Sequence, residues 1–136
     1  KELFHYLSAK NCEVFILTNQ PAVGRNIVSK SDVDYLHSLI AGEIFRSQGR
    51  LDGIFACMHG WDESCYCRKP NTGLFVMVQE LFDINWSRAL YIGDDERDRK
   101  VAEKLGIKFA MVDEKTLRID DIVESWLETF ESEELL

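Results

Sequence analysis

Four short apolar runs, Cys12–Thr18, Gly53–Cys57, Ala89–Ile92 and Lys108–Val112, alternate along the chain with segments whose apolar residues recur at helical spacing. Runs of this length, rich in β-branched and aromatic residues, read as buried parallel strands. Strands that alternate with helices imply an α/β fold with a parallel sheet and helices on both faces. The helical segments begin with Lys1–Lys10, which carries Leu3, Phe4 and Leu7 on one side. A second opens at Ser29-Lys30-Ser31-Asp32, runs through Val33, Leu36, Leu39, Ile40, Ile44 and Phe45, and ends near Gly49. Thr72–Leu81 turns Leu74, Val78 and Leu81 inward, and Glu96–Leu105 is closed by Gly106. The tail Ile119–Phe130 lines up Ile122, Val123, Trp126, Leu127 and Phe130 as one apolar stripe. In a sheet of this kind ligands bind beyond the carboxyl ends of the strands, so the polar residues just after each strand are the first candidates for function.

The chain has 136 residues and no Pro/Gly/Ser-rich linker, so one domain over residues 1–136 is expected. A net charge of −8 repels nucleic-acid phosphates, and no stretch is long and apolar enough for a membrane span. No export signal opens the sequence. The expected partner is therefore a small molecule, not nucleic acid or membrane, bound by a monomer in the cytoplasm. Three of the four cysteines crowd into one loop around a histidine, which favours a metal site over disulfides in such a compartment.

Three groups of residues follow the strands. Thr18-Asn19 offers a hydroxyl and an amide, although Thr-Asn after a strand is often only turn chemistry. Cys57-Met58-His59 and Cys65-Tyr66-Cys67 supply three sulfurs and one nitrogen, a closed tetrahedral zinc shell with no open position. Such a zinc braces a loop and does not activate water. Arg68 and Lys69 leave that loop directly; two adjacent cations repel unless an anion lies between them, and a phosphate or carboxylate would satisfy both. Their alternative is a solvated surface pair. Gly93-Asp94-Asp95-Glu96-Arg97-Asp98 gathers carboxylates at a strand-to-helix junction, which suits Mg²⁺. Equally, Asp94 or Asp95 is a helix N-cap, with Glu96 and Asp98 complementing the helix dipole. Cys12, at a strand start, reads as a small buried hydrophobe.

Taken together, VFILTNQPAVGR, CMHGWDESCYCRKPNTGLF and YIGDDERD resemble the HAD superfamily of phosphatases, in its branch of heptose bisphosphate and histidinol-phosphate phosphatases. The resemblance implies a HAD-like Rossmannoid three-layer sandwich with a zinc-binding loop in place of a cap domain. It implies a Mg²⁺-dependent phosphomonoester hydrolase that removes the 7-phosphate of a D-glycero-D-manno-heptose 1,7-bisphosphate. Thr18 would contact the transferred phosphoryl group, Asn19 and Arg68 the substrate, and Lys69 would offset charge on phosphate and nucleophile. Asp94 would bind Mg²⁺, with Asp95 or Asp98 supporting that site or orienting Lys69. Cys57, His59, Cys65 and Cys67 match the zinc ligands.

The same resemblance implies an aspartate nucleophile in an Asp-X-Asp motif after a central first strand. No Asp-X-Asp stands upstream of Thr18, so that strand and nucleophile are expected before Lys1, and residues 1–136 alone are expected to be inactive. Gly60-Trp61 stands where the family commonly has His-Pro, and Asp95 where it has a basic residue, which bears on which phosphate ester fits. The alternatives are a histidinol-phosphate phosphatase, a non-catalytic binding module that keeps the strand-end residues, and a zinc-dependent nucleic-acid binder, which the charge opposes.

Overall fold

The structure, a computed structural model, describes residues 2–19, 24, 26–60, 65–113 and 119–134. By contact the chain forms two compact units, Lys1–Leu81 and Phe82–Leu136. Each contains a two-stranded sheet among the described residues; the pairing is parallel, as the alternating pattern predicts, but the described strands form two pairs where the pattern implied one sheet.

In the first unit, helix α1 (Glu2–Ala9) leads to strand β1 (Phe15–Asn19), then helix α2 (Lys30–Arg46), strand β2 (Gly53–Cys57) and helix α3 (Gly73–Phe82). Strand β1 is shorter than the apolar run suggests. Cys12 precedes it and is half-buried in the turn after α1, a correction to its reading as a core residue. Asp52 sets the register of the two strands. Its carboxylate accepts from the Val14 N–H at 2.7 Å and its own N–H donates to the Val14 carbonyl at 2.7 Å, while Arg50 braces the carboxylate. The resulting parallel ladder pairs Thr18 with Ala56 and Asn19 with Cys57, so both strands deliver their polar ends to one edge of the sheet.

Ser29 caps α2, its side chain accepting from the Asp32 N–H. Val33 and Ile44 of α2 are buried, whereas Leu36, Leu39, Ile40 and Phe45 are exposed. Leu39 and Ile40 line an apolar cavity of about 330 Å³ with Phe4, Ile16 and Ile44, which accounts for part of that apolar face. In α3, Leu74, Phe75 and Val78 are buried but Leu81 is 68% exposed, contrary to its expected inward position. The expected loop Pro21 to Val28 lies largely outside the described residues.

In the second unit a short 3₁₀ turn (Trp86–Arg88) precedes strand β3 (Leu90–Gly93), helix α4 (Glu96–Leu105), strand β4 (Lys108–Met111) and helix α5 (Ile119–Glu134). The crossover β3–α4–β4 makes a parallel pair with Gly93 opposite Met111. Val101, Ala102, Ile107, Val123 and Leu127 form its buried apolar set. Tyr91 meets Phe109 edge-on at 5.7 Å, and the Arg99 guanidinium lies 5.3 Å from the Phe109 ring centre. No helix among the described residues is long and apolar enough to cross a membrane.

Candidate metal centre and phosphate-binding residues

Strand β2 ends in Cys57, whose side chain is fully buried, and the chain then turns back so that His59, Cys65 and Cys67 face it. Their ligand atoms all lie within 4.8 Å of one another. Cys57 Sγ is 3.5 Å from Cys65 Sγ and 3.4 Å from His59 Nδ1, and Cys67 Sγ is 3.2 Å from the same nitrogen. A tetrahedral zinc with bonds of about 2.3 Å to sulfur and about 2.0 Å to nitrogen spaces its ligands by roughly 3.5–3.8 Å. The three-sulfur, one-nitrogen set is therefore the right size and chemistry for a closed divalent-metal shell. Burial and the neighbouring Cys57 thiol push the Cys67 thiol up to about 12. For Cys65, burial is outweighed by the Arg68 backbone N–H and the adjacent thiols, and its thiol lies below the ordinary value. Crowded thiolates of this kind are costly without a cation and are relieved by one.

The loop is also held by the chain around it. The Asn71 side chain donates to the Cys65 carbonyl at 2.8 Å, the Asn71 N–H to the Arg68 carbonyl at 2.8 Å, and the Gly73 N–H to the Tyr66 carbonyl at 3.1 Å. Gly73 is buried so closely against this loop that a Cβ there would come within 2.6 Å of the Tyr66 carbonyl oxygen and 2.8 Å of the Cys67 Cα. Those are backbone atoms and cannot swing aside. Gly73→Ala is therefore expected to cost about 1–3 kcal/mol by overpacking, read as a lower denaturant midpoint. An unchanged midpoint would show that α3 and the loop are not packed this tightly.

Arg68 and Lys69 follow the cluster, and both are half-buried. The Arg68 guanidinium donates to the Gly60 carbonyl, so it ties one side of the loop to the other. The Lys69 ammonium donates to the Leu17 carbonyl of β1 at 3.3 Å. The main chain of Lys69 is gripped by Asn19: its N–H donates to Asn19 Oδ1 at 3.1 Å, and Asn19 Nδ2 donates to its carbonyl at 3.5 Å. Thr18 lies beside them, half-buried, its hydroxyl 3.4 Å from the Asn19 carbonyl. Thr18, Asn19, Arg68, Lys69 and the four metal-type residues thus share one end of the first unit. Of the substituted pair Gly60-Trp61, only Gly60 lies within the described residues.

In the second unit the junction after β3 separates its carboxylates by role. Asp95 is the N-cap of α4: its Oδ1 accepts from the Arg97 N–H at 2.8 Å, and its carboxylate pairs with the Arg97 guanidinium at 2.9 Å. That contact holds the Arg97 guanidinium above its ordinary value. Asp94 is exposed at the strand end. Asp98 turns inward, 4% exposed, and accepts from the Tyr91 hydroxyl at 2.6 Å and from the Asp94 N–H at 3.3 Å. Burial and the Asp98 carboxylate both raise the Tyr91 phenol, which keeps it protonated as a donor. A Cβ on Gly93 would come within 2.6 Å of Asp98 Oδ2, so glycine is what lets this carboxylate reach back to the strand end. Gly93 was the piece of this junction least visible in the sequence; Asp98 stood there as an alternative to Asp95, and what the sequence did not show is that, within the first turn of the helix, it lies on the inward side.

These features coincide with a known family. Residues 66–126 match the sequence model of the family described as HAD-hydrolase-like. The chain is 31% identical over 111 residues to a Thermoplasma acidophilum protein named "Probable D-glycero-D-manno-heptose-1,7-bisphosphate 7-phosphatase", covering 81% of this chain and 69% of the relative. The chain belongs to the HAD-like hydrolase family. Within it, the D-glycero-alpha-D-manno-heptose-1,7-bisphosphate 7-phosphatase of Campylobacter jejuni is 33% identical over 97 residues, 71% of this chain and 55% of that protein. The crystal structure of the D,D-heptose 1,7-bisphosphate phosphatase of Bordetella bronchiseptica, complexed with magnesium and phosphate, is similar with a TM-score of 0.76 at 25% identity. That match covers 81% of this chain and 62% of the solved one. The chain spans a little over half the length of several of the curated relatives it matches.

Proposed function

We propose that this chain carries the phosphate-handling part of a Mg²⁺-dependent phosphomonoester hydrolase acting on a heptose 1,7-bisphosphate. The observation that carries this reading is the holding of Lys69, with its ammonium on a β1 carbonyl and its main chain on the side chain of Asn19, the residue after Thr18. A lysine fixed in this way presents positive charge where a phosphoryl group would need it, and its cost of ordering is met before substrate arrives. Thr18 would donate to a phosphoryl oxygen, and Arg68, tied to Gly60, would shape the wall through which the sugar enters.

Zinc would occupy Cys57, His59, Cys65 and Cys67 and act only as a brace, since all four positions of its shell are filled by protein. Asp94, with Asp98 behind it, would hold Mg²⁺, which prefers a few carboxylates together with water and phosphate oxygens. Bound there, Mg²⁺ would neutralise charge on the phosphoryl group. Asp98 suits the supporting role better than Asp95, because Asp95 is committed to capping α4 and to Arg97. A reducing cytoplasmic setting would keep the three clustered thiols available to metal.

Phosphate release from heptose 1,7-bisphosphate by the full-length protein tests the proposal. Release is expected to require Mg²⁺, to stop with chelator, and to exceed that from histidinol phosphate by at least about tenfold in kcat/KM, a difference of roughly 1.4 kcal/mol in transition-state binding. No Mg²⁺-dependent release from either ester would refute it, and a preference for histidinol phosphate would reassign the substrate.

A further inference from the structure

We propose that Asn19 is a positioning residue, whose carboxamide clamps the main chain of Lys69 and so aims the Lys69 ammonium over the carboxyl end of β1. The inference rests on the phosphatase reading above and deepens it. The resemblance assigned Asn19 to substrate contact; the geometry assigns its side chain to the protein.

The case begins with the orientation of the amide. Lys69 N–H is a donor, so the Asn19 atom 3.1 Å from it is the oxygen, and the nitrogen then faces the Lys69 carbonyl at 3.5 Å. One side chain thus engages both polar main-chain groups of a single residue fifty positions away. Asparagine suits this because it carries one acceptor and one donor side by side. Aspartate would turn a second acceptor toward the Lys69 carbonyl, and serine is too short to span both groups.

Pro70 follows Lys69 and has no N–H, and the preceding Arg68 carbonyl is taken by the Asn71 N–H at 2.8 Å. Among the described residues strand pairing ends at the register pair Asn19 and Cys57, and the Asn19 side chain carries the connection from β1 on to the returning loop. Asn19 does so directly opposite the first metal-type residue. Lys69 is then fixed at both ends: the backbone by Asn19, and the ammonium by the Leu17 carbonyl at 3.3 Å. Freeing the backbone end would let the long, flexible side chain wander.

The test combines amide hydrogen exchange with a double-mutant cycle on the full-length protein. Asn19→Ala is expected to speed exchange of the Lys69 amide by about tenfold or more. The Asn71 and Gly73 amides, bonded to the Arg68 and Tyr66 carbonyls, should keep their protection, and Asn19→Asp, which retains the acceptor but sets a second one against the Lys69 carbonyl, should leave Lys69 protection between that of the wild type and Asn19→Ala. In turnover, Asn19→Ala should lower kcat by about tenfold with little change in KM, and should cost less than about twofold further in a Lys69→Ala background. Unchanged Lys69 exchange, or the same loss in both backgrounds, would overturn the clamp and return Asn19 to direct substrate contact. Absence of phosphate release by the wild type would sink the phosphatase reading instead, and the exchange measurement would still decide the clamp.

Discussion

Cys65→Ser is expected to empty the metal site and to lower the melting temperature by at least about 8 °C. Zinc content should fall from about one per chain to near zero, because serine neither supplies a thiolate nor reaches the sulfur's bond length of about 2.3 Å. The thermal effect follows from what the shell holds. Cys65 Sγ lies 3.5 Å from Cys57 at the end of β2, so a metal here ties the loop to the sheet. Structural zinc sites in small peptides contribute apparent free energies of about 10–16 kcal/mol, but this loop also has protein contacts through Asn71 and Gly73, so only part of that should be lost. A loss of even about 2 kcal/mol shifts the melting point of a unit of this size by about 8–16 °C. Chelator should reproduce the shift in the wild type and do nothing further to the variant. Cys12→Ser, outside the cluster, should keep both zinc and melting point. A Cys65→Ser protein with full zinc and unchanged melting would end the assignment of these four residues to one structural metal.

The strand–helix alternation was legible because it depends on local chemistry. The helix starts at Ser29 and Asp95, the stop at Gly106 and the run Gly53–Cys57 all carry their signals within a few residues. The grouping of three cysteines and a histidine was legible for the same reason, since its two pairs lie eight residues apart. Burial was less so. Leu36, Leu39, Ile40 and Phe45 have the periodicity of an inward helical face, yet they remain exposed, because periodicity gives a direction and not the presence of a neighbour to cover it. Leu81 fails in the same way at the last turn of α3. The partners of polar side chains were least legible. Nothing near Asn19 in sequence points to Lys69, and nothing near Arg68 singles out the Gly60 carbonyl; both contacts arise only once the loop folds back on the sheet. Gly73 and Gly93 read as ordinary small residues until the backbone and the carboxylate beside them are in place.

Asp94→Asn, Asp98→Asn and Asp95→Asn are expected to separate three adjacent carboxylates by function. Asp94→Asn should lower Mg²⁺-dependent turnover by about 10³-fold or more, corresponding to roughly 4 kcal/mol of lost transition-state stabilisation, and weaken Mn²⁺ binding measured directly by calorimetry. Asp98→Asn should also weaken Mn²⁺ and destabilise the fold. Its new NH₂ would face either the Asp94 N–H, which can only donate, or the Tyr91 hydroxyl, which would have to give up its donated bond and turn to accept. A buried donor set against a donor costs about 1–3 kcal/mol. Asp95→Asn is the control, since asparagine caps a helix about as well as aspartate and the Arg97 pair it loses is partly exposed, 41% and 43% on its two sides. Such a pair contributes at most about 1 kcal/mol, so turnover should stay within about threefold, a change of roughly 0.7 kcal/mol in barrier. Should Asp95→Asn instead lose metal and turnover as Asp94→Asn does, Asp95 would be the second carboxylate, and the inward turn of Asp98 would serve only to hold Tyr91 and the strand end together.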